Sequence, residues 1–480
     1  MSQTLIFASL ILGEASRMME RRRISAVRTS LIVLAYFAFI SLGLPDGLLG
    51  VGWPFMAATF DVPTASVGCL LVAATTGYLA SSVAAGFLLS RVGVGWLLAA
   101  STAATSLALA GYALAPGLWF LVPCALLGGF GGGAIDAGLN AYAAANFNAR
   151  HMNWMHACFG LGVAVGPLIM TSVLSGGSPW RLGYAVVAAA QLCLAVSFAG
   201  KARSWGRAPV PVHETPQRGR DTLRLPVVWL GVAAFGVYVA VEAGAGLWAF
   251  LLLTEGRGSS DAVAGVCVSG YWAMLFLGRV VQGAVADRVG VSRVIAGCLA
   301  GMAAGAFLVA LPGPGWLAAA GLGLLGFAAA PVFPLLTLTT ADRVGAAHAD
   351  RAIGLQTAVA GLGGALVPTA IGVLLARAGV NILGSTLFAL ALLLLLLYRV
   401  SLRLAAVPAG AGRPDGAVAA AGWSVAAGVT VDGVATGPPD SSGAAARPAG
   451  PPAGISDRIG PVPGREVPVA DPGDGAGSTP

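Results

Sequence analysis

GLWFLVPCALLGGFGGGAIDAGLNAYA, residues 117–143, carries a single charged side chain, Asp136, in 27 positions. At about 1.5 Å per residue, a helix of this length crosses about 30 Å of hydrocarbon with turns to spare. A charged acid at that depth is costly unless paired or neutralised, and intramembrane acids mark ion or substrate paths. The glycine-rich apolar run and the carboxylate inside it therefore need separate explanations.

The rest of the chain repeats the apolar pattern. Of 480 residues, 57% are hydrophobic and 10% charged, with a mean hydropathy of +0.83; soluble domains carry about 25% charged residues. Twelve spans are predicted: 30–58, 64–89, 95–115, 117–143, 152–175, 181–200, 226–253, 261–286, 292–311, 316–339, 351–376 and 380–402. Apolar runs of about 20 residues fit helices, whereas an outer-membrane barrel would alternate in strands of about ten. The expected fold class is an all-α polytopic membrane protein. Loop arginines that set orientation account for the net charge of +7, and no nucleic-acid partner is expected. With residues 1–29 assigned to the cytoplasm, all but four of the 27 Lys and Arg residues fall on the cytoplasmic side. Arg181, Arg257 and Arg377 are left outside, and Arg279 lies within a span. This predicts a multi-pass plasma-membrane protein with both termini cytoplasmic. Cys69, Cys124, Cys158, Cys193, Cys267 and Cys298 sit in apolar runs without CxxC spacing, so neither metal nor disulfides are expected. The basic MMERRRIS at 18–25 follows an apolar start without a cleavage pattern, so no removed signal peptide is expected, and Met18 and Met19 are alternative starts to Met1.

The longest internal loop, residues 201–225, divides the spans six and six, giving halves at 30–200 and 226–402. The halves resemble each other. Asp46 and Glu242 are 196 residues apart, GFLLSRVG from Gly86 and GAVADRVG from Gly283 are 197 apart, and GLGVAVGPLI from Gly160 and GLGGALVPTA from Gly361 are 201 apart. Near-constant offsets indicate a parallel duplication of six helices. From 403 to 480 the chain turns Ala-, Gly-, Pro- and Asp-rich and is expected to be a disordered cytoplasmic tail.

Candidate chemistry concentrates in a few places. In GLPDGLLGVGWP, residues 43–54, Pro45 and the glycines loosen the first helix so that Asp46 can face a cavity. Asp136 and Asn140 are four apart and share a helical face, where the amide can bond the carboxylate or a substrate hydroxyl. Tyr238 and Glu242 share a face in the same way, and Trp248 offers an apolar platform for a sugar ring, with core packing as its bland alternative. Gln356 can hydrogen-bond a substrate or simply be solvated at a span end. Asp46, Asn140, Glu242, Tyr238, Trp248 and Gln356 are the expected substrate residues. Asp136, whose counterpart one repeat later is apolar near Phe333, is the expected proton-coupling residue. His156 could relay protons, although its closeness to Arg150 and His151 reads first as a membrane-edge histidine. Arg279 could pair an acid, bind an anion or snorkel to the surface.

These motifs resemble the major facilitator superfamily. GAVADRVG is similar to its signature loop, which implies a conformational latch formed by Gly283, Asp287, Arg288 and Gly290, with Arg91 in the first-half copy and Ser90 where the family acid would stand. PDGLLGVGWP, DAGLN with HACFGLGVAVGP, YVAVEAGAGLW, APVFP and GLQTAVAGLGGALVP resemble the fucose/galactose/glucose proton symporter branch over residues 30–402. The resemblance implies that acids in the first and fourth helices, matched by Asp46 and Asp136, serve substrate recognition and proton translocation, and that Asn140 matches an asparagine following the fourth-helix acid. The chain departs from it in having Asp for Glu in the fourth helix and no asparagine directly before Asp46.

No GxSxG, HExxH or GxxxxGK[ST] is present, and the glycines of the fourth span follow no strand; no enzyme and no cofactor are expected. The function expected is a monomeric secondary transporter, partnered by a small-molecule substrate, protons and the bilayer, moving a sugar or small polar solute with protons by alternating access. A proton-antiport exporter of drugs or hydrophobic metabolites is the competing transport reading, and a non-transporting membrane sensor or scaffold the third.

Overall fold

The structure, a computed structural model, describes residues 2–147, 149–205 and 219–405. The middle of the 201–225 loop and the tail from 406 lie outside the described residues. Twelve helices are long and apolar enough to cross a membrane: α1 (Thr29–Phe60), α2 (Thr64–Ala85), α3 (Val94–Leu114), α4 (Leu118–Asn146), α5 (Trp154–Ser175), α6 (Trp180–Gly200), α7 (Pro226–Gly256), α8 (Asp261–Val281), α9 (Val291–Ala310), α10 (Gly315–Leu338), α11 (Ala346–Ala378) and α12 (Ile382–Ala405). Their ends fall within a few residues of the expected spans. α1 is the continuation of a helix that begins at Ser2.

The duplication is visible in the packing. α1 lies on α5, α2 on α4, and α3 on α4 and α6; α7 lies on α11, α8 on α10, and α9 on α10 and α12. Equivalent turns carry equivalent strain: Gly93 and Gly290, at φ of 80° and 95°, open α3 and α9 in a region that disfavours side chains. Pro167 and Pro368 sit inside α5 and α11. Exposed Trp119 and Trp316 open α4 and α10 on one face, while half-exposed Trp96, Trp154 and Trp229 lie toward the other, as interfacial anchors do. We call the face holding Thr29 and Ala405 the terminal face and its opposite the far face.

Glycines set the helix spacing. A Cβ on Gly129 would collide with the Ala74 carbonyl, and one on Gly133 with the Tyr78 carbonyl and Ser81 Oγ, so these two hold α4 against the backbone of α2. Gly131 faces α3 at Ser101 and Thr105, whereas Gly132 meets only Leu42, at 3.8 Å. On the far face two of the arginines that break the charge pattern serve as helix caps. Arg181 donates to the Ala115 carbonyl at the end of α3 (2.9 Å), and Arg257 to Val309 and Leu311 at the end of α9 (3.0 and 2.9 Å).

The two halves meet toward the far face. Gly50 abuts Gly246, Gly68 abuts Thr369, Gly265 abuts Thr171, and Ser269 Oγ donates to the Ala164 carbonyl at 2.6 Å. Each of these contacts lies in the far half or at the middle of its helix. Gly160 against Phe276, where a glycine Cβ would lie at 3.6 Å in the terminal halves of α5 and α8, is the furthest toward the terminal face; among the described residues no glycine contact between the halves lies beyond it, so the gap between them is read as opening toward that face.

The α2–α4 contact gives a paired prediction. Gly133→Leu should lower stability by roughly 1–3 kcal/mol through overpacking, seen as a reduced melting temperature in detergent, while Gly132→Ala should change it by less than about 0.5 kcal/mol.

Candidate functional site

Asp46 lies midway along α1. It is enclosed by protein at depth yet keeps accessible surface, which places it on the wall of the cavity. Its carboxylate has no hydrogen-bond partner among the described residues, and it acts electrostatically on the Tyr78 and Tyr112 hydroxyls. Pro45 and Gly47 explain how an acid is tolerated there: Gly47 sits against the Val163 carbonyl and Pro167, so α1 and α5 pack backbone to backbone and turn Asp46 away from lipid.

Asp136 is differently supplied. Asn140 Nδ2 donates to its Oδ1 at 2.9 Å, as the spacing of four predicts, and Tyr78 on α2 donates its hydroxyl to Oδ2 at 2.6 Å. Tyr78 was not among the expected residues. Its approach depends on the glycine-mediated contact of α2 with α4, which no local pattern in the sequence reveals. At 36% exposure it borders the open cavity. Charge-assisted bonds of this kind are roughly twice as strong as neutral ones, so Asp136 is held in a fixed orientation.

Across the cavity, Glu242 on α7 faces Tyr238, whose hydroxyl points at both the Glu242 carboxylate and the Ala329 carbonyl, the latter at 3.0 Å. One proton serves one acceptor at a time, so this hydroxyl can switch. The Ala329 carbonyl is available because α10 breaks: it is helical to Ala329 and again from Val332. Pro334 has no N–H for the Ala330 carbonyl, which instead accepts from Arg279 Nε at 3.3 Å. Phe333, one repeat from Asp136, packs on Phe235 and Tyr238 at ring distances of 5.0 and 6.2 Å.

Two expected substrate residues are placed away from the cavity wall. Trp248 is 1% exposed, fitted against Gly372, and donates its indole N–H to the Pro368 carbonyl at 2.9 Å. Gln356, also 1% exposed, accepts from Thr340 Oγ1 at 3.1 Å, with its amide against Gly231. Both close polar or steric gaps in the second half. Tyr238 is itself 1% exposed and reaches the cavity only through Glu242.

Of the latch residues, Arg91 stacks its guanidinium on Phe87 at 4.0 Å, Arg288 is exposed, and Gly290 adopts positive φ. The side chains at Gly283 and Asp287 lie outside the described residues. His156, two residues after the interfacial Trp154 at the terminal end of α5, keeps accessible surface, sets its ring edge on Phe39 at 5.1 Å and lies in the fields of Asp136 and Arg279.

Twelve membrane-length helices in two six-helix halves, with acids on helices of both halves, have the plan of a membrane transporter, and the family match agrees. The Major Facilitator Superfamily family model matches residues 35–258 and 230–431, and the chain belongs to that superfamily. It is 23% identical over 352 residues to the glucose/mannose transporter GlcP of Bacillus subtilis (strain 168), covering 71% of this chain and 86% of that protein. Among solved structures it is similar in fold to the nucleoside transporter NupG, with a TM-score of 0.59 at 14% identity, covering 79% of this chain and 98% of that one. It is also similar to a bacterial homologue of the human lysosomal transporter Spinster in an inward-facing and occupied conformation, with a TM-score of 0.65 at 12% identity, covering 78% and 97%.

Removing the Tyr78 hydroxyl deprives Asp136 of one charge-assisted bond, worth about 1.5–3 kcal/mol. Tyr78→Phe should therefore slow solute transport at least tenfold in proteoliposomes, with the melting temperature lowered by no more than the loss of that one bond.

Proposed function

We propose that the protein is a proton-coupled symporter of a sugar or other small polar solute. It acts as a monomer in the plasma membrane with its terminal face cytoplasmic, by rocking of the two halves about the central cavity. The observation that carries this reading is the pairing of unlike acids on one cavity. Asp46 is enclosed and lacks a donor, whereas Asp136 is clamped by Tyr78 and Asn140. A carboxylate in a low-dielectric cavity is expensive to move through a closed state, and the two acids can be relieved differently: a solute hydroxyl supplies Asp46 the donor it lacks, and a bound proton neutralises Asp136, which lowers the cost of reorienting the loaded carrier. Asp46, Asn140 and Glu242 offer acceptors and a donor for hydroxyls from both halves, and ligand contact with both halves is what ties binding to rocking. The sugar assignment is supported by the relation to the glucose/mannose transporter.

Asp136 is proposed as the coupling residue because its partners hold it in place and its repeat counterpart, Phe333, cannot take a proton. Asp136→Asn is expected to abolish uphill uptake driven by a proton gradient while leaving solute exchange intact in proteoliposomes; undiminished gradient-driven uptake in that variant would reject the assignment. Asp46→Ala and Glu242→Gln should each weaken substrate binding by about tenfold or more, measured by calorimetry, as expected for loss of a hydrogen bond to a charged group.

A further inference from the structure

The geometry points to an electrostatic gate made by His156 and Arg279 at the open mouth of the cavity. A charged His156 holds Arg279 off and keeps the terminal face open; a neutral His156 lets Arg279 close on Asp136.

The two residues sit where the halves begin to part. α5 and α8 form a packed pair between the halves, and their contact includes Gly160 against Phe276, where a Cβ on the glycine would lie 3.6 Å from the phenylalanine Cβ. His156 is one turn from Gly160, and Arg279 one turn from Phe276, both on the terminal side of that contact. Closure of the terminal face must bring them together. Neither is committed elsewhere. The His156 ring lies edge-on to Phe39 with no hydrogen bond among the described residues, and Arg279 uses only Nε, on the Ala330 carbonyl. No carboxylate lies within ion-pair distance of Arg279 among the described residues, where the one ion pair is Arg224 with Asp221.

The groups around His156 fix the sign of the effect. Two charged groups act on it electrostatically, Asp136 from α4 and Arg279 from α8. α1 presents the uncharged Phe39 ring, with Asp46 deeper and the Tyr36 hydroxyl held by His151 at 2.6 Å; the Tyr78 hydroxyl of α2 is bound to Asp136. A protonated imidazole repels the guanidinium across the mouth and draws Asp136 to itself. Once it loses its proton, the guanidinium is the remaining cation opposite Asp136, and attraction between the halves replaces repulsion. An imidazole changes charge between about pH 5 and 8, the range over which a proton-coupled carrier must respond. Release of the proton at the terminal face would thus reset the carrier by closing that face. This rests on the proton-coupled reading of the cavity, but its test needs no substrate.

Purified full-length protein in nanodiscs, carrying spin labels on genetically encoded residues at positions 90 and 289, reports the opening of the terminal face by electron–electron distance measurement. Raising the pH from about 5 to 8 should shift the wild-type ratio of long to short distances toward short by about tenfold, a typical coupling between two sites. His156→Gln should stay biased to short distances throughout that range, His156→Lys to long ones, and Arg279→Gln should lose the pH response. A wild-type protein without a shift, or a His156→Gln variant that keeps it, overturns the gate; the latter outcome returns the titration to Asp46 or Asp136. If His156→Lys does not fold, His156→Gln and Arg279→Gln decide the matter. A pH response with these signatures in a protein that moves no sugar would leave the gate standing and remove the sugar reading instead.

Discussion

Close backbone contact between helices at glycine is the constraint on which the rest of this structure depends. Lipid tails are as apolar as the side chains they touch, so helices in a bilayer gain little from hiding leucine and much from approaching closely. Gly129 and Gly133 bring α4 onto the carbonyls of α2, and Gly162 and Gly166 bring α5 onto those of α1. In the second half Gly363 meets the Gly236 carbonyl between α11 and α7. These contacts decide which polar groups can meet. Asp136 reaches the Tyr78 hydroxyl because no side chain separates α2 from α4 at that level.

The two halves share a plan and differ in chemistry. In the first half the acids are split between one clamped carboxylate and one without a donor. In the second, Glu242 shares a tyrosine with a broken helix, and the broken helix shares its carbonyls with Tyr238 and Arg279. The break in α10 leaves these carbonyls available, so the second half links its acid, its cation and its broken helix in one network. Where the first half has Asp136, the second has Phe333 and aromatic packing. A duplication that keeps spacing while diverging in charge gives the two halves unlike polar groups: two acids in the first, and an acid with a cation in the second.

Much was legible beforehand because membranes simplify the reading. Span positions, the six-plus-six division and the pairing of Asp136 with Asn140 follow from hydropathy, repeat offset and a spacing of four residues. The arginines Arg181 and Arg257, exceptions to the charge pattern, turned out to cap α3 and α9. Trp248 and Gln356, polar or amphipathic in apolar helices, fit either ligand or structural roles by sequence, and in the fold each bonds a neighbour inside the second half. The basic neighbours of His156 along the chain do not show that its ring packs on Phe39 and lies in the fields of Asp136 and Arg279.

Sequence alone determined what must cross the membrane, how often, and that the chain is a doubled unit, because hydrophobic length and repeat offset are properties of order along the chain. It also determined that Asp46, Asp136 and Glu242 needed an explanation. Only the tertiary structure decided which of them has partners, that Tyr78 meets Asp136, and that His156 lies in the fields of Asp136 and Arg279. The reason is physical: a helix fixes the direction of a side chain relative to its own axis, whereas what that side chain meets depends on the rotation and separation of the next helix, which glycine contacts distant in sequence set.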